Sequence, residues 1–181
     1  MADRCRRRDE RPAVDEERFW NLIETAWAPL GAEAGAARRA LATRDLDEDA
    51  YELPAFAVVG KALDEFIGNL RRLARDLPAE TLTDLDRVLE RKLHDIDRSD
   101  VHAVTDGSDD GFLYARGFIV ALGRDFYTAV AADPRTAILD ADCEEMCYLF
   151  AHLYRERFGA FPDTGSGITR ESCSNPAGWR D

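Results

Sequence analysis

Phe56, Val59, Leu63, Phe66, Leu70, Leu73 and Leu77 alternate spacings of three and four, a heptad seam three repeats long. A stripe of this length and period commits the segment to one long helix packed lengthwise against others, as in a bundle. Pro54 suits the first turn, where its missing N–H is not needed, and Pro78 ends the helix. Val58, Ala62 and Ile67 widen the stripe beyond a bare seam, which favours burial inside one domain. Pairing of two copies through the 54–77 helix, a homo-oligomer, is the alternative. Gly60 and Gly68 each cost ~1 kcal/mol against alanine and would let another helix come close.

The same period recurs on both sides. A first helix is expected from Asp15, with Phe19, Ile23, Ala26, Trp27 and Leu30 on its apolar face and Trp20 beside it. Pro29 and Gly31 interrupt it, and an alanine-rich helical piece follows to Thr43. An acidic connector, 44–52, leads to the heptad helix. Leu82, Leu85, Leu89, Leu93 and Ile96 stripe a helix over 79–97, and residues 99–106 form a connector with a short extended piece. Asp142 is the expected N-cap of a last helix carrying Cys143, Met146, Cys147, Phe150, Leu153, Tyr154 and Phe158, with Gly159 as its C-cap. The expectation is an all-α, single-domain helical bundle of five to six helices with an irregular C-terminal tail. Residues 1–14 are expected to be a disordered tail, 15–158 the helical domain, and 159–181 an irregular segment packing back on it through Ile168 and Trp179. Packed that way, the segment would be placed to cover the central loop.

That loop, Asp106-Gly107-Ser108-Asp109-Asp110-Gly111, is the densest cluster of acids and glycines leading straight into a patterned helix. Phe112, Ala115, Phe118, Ile119, Leu122, Phe126, Ala129 and Val130 predict one helix running to Ala132, where Asp133-Pro134 stops it. Ser108 is the expected N-cap, and Asp109 and Asp110 fall where the positive end of the helix dipole favours them. Arg116, Arg124 and Asp125 lie off the stripe and are expected in solvent. Asp106, Ser108, Asp110 and Gly111 imitate the start of an EF-hand loop, but the position that needs a bidentate Glu is Gly117. Two roles compete for the loop. It caps a helix and contacts a partner, or its carboxylates form an acid/base or metal pocket with His94 or His102 and Arg116. The candidate polar site is therefore Asp106, Ser108, Asp109, Asp110, Arg116 and His102.

A net charge of −12 argues against nucleic acid as the ligand, because phosphate binding is driven by Lys and Arg. It suits a basic protein partner, drawn in by long-range attraction. Arg4 to Arg8 is not followed by an apolar leader, and no apolar run approaches a membrane span. A cytoplasmic location without membrane contact follows, with Cys5, Cys143, Cys147 and Cys173 reduced. Cys143 and Cys147 sit where small hydrophobes would pack, so neither a metal site nor a cofactor is expected. No phosphate loop, zinc helix, nucleophile elbow or dinucleotide turn is present.

Phe19-Trp20-Asn21-Leu22-Ile23, Gly107-Ser108-Asp109-Asp110-Gly111-Phe112, Tyr114-Ala115-Arg116-Gly117-Phe118, Gly123-Arg124-Asp125-Phe126-Tyr127 and Ala132-Asp133-Pro134 carry a resemblance. Together they are similar to the signature of the bacterial family catalogued as domain of unknown function 4240, over about residues 16–158. That family usually has Cys or Gly-Cys where Asp106-Gly107 stands and an aromatic where Ala115 stands. The resemblance implies no established activity, cofactor or catalytic residue. The functional expectation is an interaction or regulatory accessory module. The alternative is a metal-dependent or acid/base enzyme using Asp106, Asp109 and Asp110.

Overall fold

The computed structural model describes residues 12–105 and 107–179. Among them are eight α-helices and no strand: α1 Pro12–Trp27, α2 Gly31–Ala42, α3 Pro54–Ala74, α4 Ala79–Asp95, α5 Ser99–Thr105, α6 Asp109–Ala121, α7 Arg124–Ala132 and α8 Glu144–Phe158. The all-α bundle is as expected; the count exceeds five to six for two local reasons. The 105–132 stretch is two helices, because Gly123 takes φ +94° and turns the chain between α6 and α7. That region is open to glycine and strained for other residues. The 99–105 connector is helical and not extended. Val101 and Thr105, four apart, are buried on one face, and the Thr105 hydroxyl donates to the Val101 carbonyl. Helix α1 begins at Pro12, so residues 12–14 are helical; the remainder of the expected N-terminal tail lies outside the described residues.

The heptad helix α3 buries Val59, Phe66, Leu70 and Ala74, and it ends at Ala74, so Leu77 lies in the turn that follows. Leu73 is exposed. Asn69 takes a buried place and donates from Nδ2 to the Ala26 carbonyl at 3.0 Å. Trp27 stacks on Phe66 with ring centroids 4.6 Å apart and donates from Nε1 to the Ala121 carbonyl at 2.8 Å, joining α1, α3 and α6.

Helix α6 is the centre. Phe112, Leu113, Ala115, Arg116, Gly117, Phe118, Ile119, Val120 and Ala121 are all buried, so after its first turn only Tyr114 is left half-exposed. A helix that is apolar all round belongs inside a core, and α4, α5, α7 and α8 pack around this one. Its contact with α8 is close enough to need a glycine. A Cβ at Gly117 would lie 2.4 Å from the Cys143 carbonyl oxygen and 2.6 Å from Cys147 Sγ. Gly117→Ala is expected to cost about 1–3 kcal/mol through overpacking, despite alanine's better helix propensity. A denaturant melt checks this, and an unchanged midpoint would contradict the close approach.

Helix α8 starts differently from expectation. Cys143, not Asp142, holds the N-cap position, and no side chain caps the helix. The entry is fixed from outside, because the Cys143 N–H donates to the Tyr114 carbonyl of α6 at 3.0 Å. Gly159 ends α8 in the left-handed conformation at φ +80°, as its place in the sequence indicated.

Candidate functional site

The loop before α6 is built as a helix start. Ser108 Oγ accepts from the Gly111 N–H at 3.2 Å, and the Phe112 N–H closes on the Ser108 carbonyl at 2.7 Å. Asp109 and Asp110 follow in the first turn, exposed. Neither carboxylate makes an ion pair with another described residue. Asp106 lies outside the described residues. His102 is half-buried, with Nε2 3.0 Å from the Gly107 carbonyl and its ring edge-on to Phe112. Two of the sequence-derived site residues thus face solvent, while Ser108 and His102 shape the loop.

Arg116 corrects the sequence reading most sharply. It was expected in solvent and is fully buried. Its Nη1 donates to the Leu93 carbonyl, and Nη2 donates to the Arg170 carbonyl and Ser172 Oγ, each at 3.1 Å. The guanidinium also lies 4.8 Å from the centre of the Phe112 ring. Burial pulls its pKa below the usual value, and the charge of Asp97 acts in the opposite direction. Arg116 is therefore a clasp between α4, α6 and the segment after α8. It does not reach the Asp109 and Asp110 carboxylates.

The sequence reading missed the polar groups that hold that segment. Arg170 Nη2 meets Asp86 Oδ1 at 2.6 Å and Glu90 Oε1 at 3.7 Å. Thr164 Oγ1 and Ser166 Oγ donate to Glu90 Oε2 at 2.6 and 2.7 Å. Burial pushes the Asp86 carboxyl up in spite of Arg170. Asp97, fully buried, accepts from the backbone N–H groups of Cys173, Ser174 and Asn175 and from Trp179 Nε1. The Ser172 hydroxyl donates to the Asp109 carbonyl at 2.6 Å, so the segment touches the central loop. One signal was available: Asp86 and Glu90 stand four apart, each beside a leucine of the α4 stripe.

Cys143 and Cys147 are free thiols buried in the core, whereas Cys173 is exposed. Burial pushes Cys143 and Cys147 up to about 12. Thiolates are the reactive form, so these two are inert core groups. Among the described residues, no group of three or more His, Cys, Asp or Glu side chains is placed to hold a metal ion. Among the described residues, no helix is long and apolar enough to cross a membrane.

Several exposed carboxylates gather near the starts of α6 and α8. Asp110 and Glu144 lie near Tyr114, whose hydroxyl is held above its usual value by desolvation and by those two charges. Asp140, Asp49 and Asp142 act in the same way on Tyr51, again after desolvation. Glu144 and Glu145 occupy the first turn of α8, as Asp109 and Asp110 do in α6. All four are exposed, and none makes an ion pair with another described residue.

Residues 52–156 match the family described as "Protein of unknown function (DUF4240)". No curated protein and no solved structure matches. The family match runs from the turn before α3 almost to the end of α8 and includes the capped loop and the buried Arg116. Because that stretch is more than half of the chain, the protein belongs to the DUF4240 family.

Proposed function

We propose that this protein is an interaction or regulatory accessory module whose acidic face engages a basic protein partner. The observation that carries the reading is the set of outward carboxylates at the N-termini of α6 and α8: Asp109, Asp110, Glu144 and Glu145. Helix capping accounts for only part of this charge. Each helix N-terminus supplies the equivalent of roughly half a positive charge, so two termini leave about three of the four negative charges uncompensated. With a net charge of −12 behind it, such a face attracts cationic surfaces over about one Debye length, ~8–10 Å at physiological salt. The outward direction of Asp109 and Asp110 supports this reading over a convergent acid/base pocket, which would need them turned toward His102 or Arg116.

The test is calorimetric titration with a synthetic amphipathic helical peptide of leucine and lysine, and with a leucine and glutamate peptide of the same pattern. The basic peptide is expected to bind, with an affinity that falls at least tenfold between low and high salt. The acidic peptide is expected not to bind. Equal binding of both peptides, or no binding of the basic one at low salt, would contradict the proposal.

A further inference from the structure

A groove of about 580 Å³ runs between α3 and the start of α8. Its lining includes the half-buried Leu63 and Ile67 and the buried Cys143, which form the floor, and the exposed Asp64, Gly68, Asp142 and Glu145, which form the rim. The heptad helix turns Val59, Phe66 and Leu70 inward, leaving Leu63 and Ile67 only half-buried on this side.

Gly60 and Gly68, two turns apart, fall on one side of α3 with Asp64 between them. A Cβ added at either glycine would meet nothing within 4 Å. Neither is there to let another part of this chain come close, in contrast to Gly117. Each weakens α3 relative to alanine without an internal reason. Gly68 lines the groove, and the room it leaves suits a backbone that lies there from outside.

Charge then selects the occupant. The roughly half positive charge at the N-terminus of α8 is shared with Glu144, so it offsets only a small part of the three rim carboxylates. None of the three makes an ion pair with another described residue, nor does Lys61 one turn before Asp64. A second copy of this chain would bring a further net charge of −12, acid against acid. A basic segment meets both requirements, with apolar side chains for the floor and Lys or Arg for the rim.

We infer that this groove is the docking site for a basic amphipathic helix of a partner protein, lying along α3 with its apolar face on Leu63 and Ile67 and its cations on Asp64, Asp142 and Glu145. This inference rests on the acidic-face reading above and gives it a location and a partner shape.

The experiment uses the full chain and the leucine–lysine peptide. Gly68→Leu fills the groove from a position with open space around it, so its melting temperature is expected to match or exceed that of the wild type. Its affinity for the peptide is expected to fall tenfold or more. The double variant Asp64→Asn/Glu145→Gln changes only exposed side chains and guards against a folding defect in the first. It is expected to lose affinity to a similar extent, and Asp109→Asn/Asp110→Asn to lose less. If the Asp109/Asp110 variant loses binding while both groove variants keep it, the groove is overturned and the acidic-face reading stands. If no variant loses binding, or the peptide does not bind the wild type, both are overturned. If the wild type self-associates in sedimentation and Gly68→Leu abolishes it, a second copy occupies the groove and the partner inference is overturned.

Discussion

Asp97→Ala is expected to cost about 3–5 kcal/mol, the usual result of removing one partner from a buried, hydrogen-bonded charge network. Asp97 follows α4, and its two oxygens gather the far end of the chain. Oδ1 takes the Cys173 N–H at 3.0 Å and Trp179 Nε1 at 2.9 Å. Oδ2 takes the N–H groups of Ser174 and Asn175 at 2.7 and 2.9 Å and the Ser174 hydroxyl at 3.1 Å. Three consecutive N–H groups converge because Cys173 adopts φ +62°, which costs a non-glycine residue of order 1–3 kcal/mol and persists only where its surroundings hold it. Gly178 completes the turn. A Cβ there would lie 2.3 Å from the Asp97 carbonyl oxygen. With alanine at 97 the donors lose their acceptor and the strained turn loses its hold. The melting temperature should fall by roughly 10 °C. Trypsin should cleave much faster after Arg170, whose side chain is now tied to Asp86. A melt within a degree or two of wild type, with unchanged cleavage, would mean that Asp97 does not fasten the segment.

The same site gives a pH dependence with a definite sign. Burial raises the Asp97 carboxyl, but the Trp179 N–H, the Arg116 charge and the backbone donors outweigh it, so the folded value is below the ordinary one. A depressed acid contributes stability above its unfolded value, about 3.9, and loses it as the pH falls through the lower folded value. Asp97→Asn should therefore remove part of the wild type's loss of stability below about pH 4, while lowering stability near neutrality.

Arg116→Met is the second large effect, also about 3–5 kcal/mol. Methionine fills similar space but leaves the Leu93 and Arg170 carbonyls and Ser172 Oγ without their donor. It also removes the charge that helps hold the Asp97 carboxyl down. Arg116→Lys should restore little, because one ammonium cannot reproduce the planar fork that serves Leu93 on one side and the 170–172 backbone on the other. Thermal melts of the three proteins check this. A lysine variant as stable as wild type would mean that charge alone matters at this position.

These two residues also mark where sequence reasoning stopped. The seam from Phe56 to Leu70, Ser108 and Gly159 were legible because each acts through the residues beside it. The period of a stripe, the hydroxyl of a cap and the freedom of a glycine are local properties. Gly123 carries the same freedom, but it was passed over because the apolar spacing continues on both sides of it. Arg116 was assigned to solvent because periodicity reports only one face of a helix. Its other face is enclosed by α4 and by residues 170–172, more than fifty positions away. Asp86, Glu90 and Asp97 are charged residues whose partners come from the far end of the chain, in a stretch with neither helix nor strand. No local pattern links them. For the acidic face, the charge itself was legible. Its grouping at the starts of α6 and α8 depended on how those helices pack.

The most direct test of the acidic-face account is a chemical-shift map of ¹⁵N-labelled protein titrated with the leucine–lysine peptide at low and high salt. Shifts are expected at Gly107–Gly111, at 142–145 and along 63–68, fading together as salt rises. Shifts spread evenly over the molecule, or concentrated around Arg39 and Arg124 on α2 and α7, would contradict it.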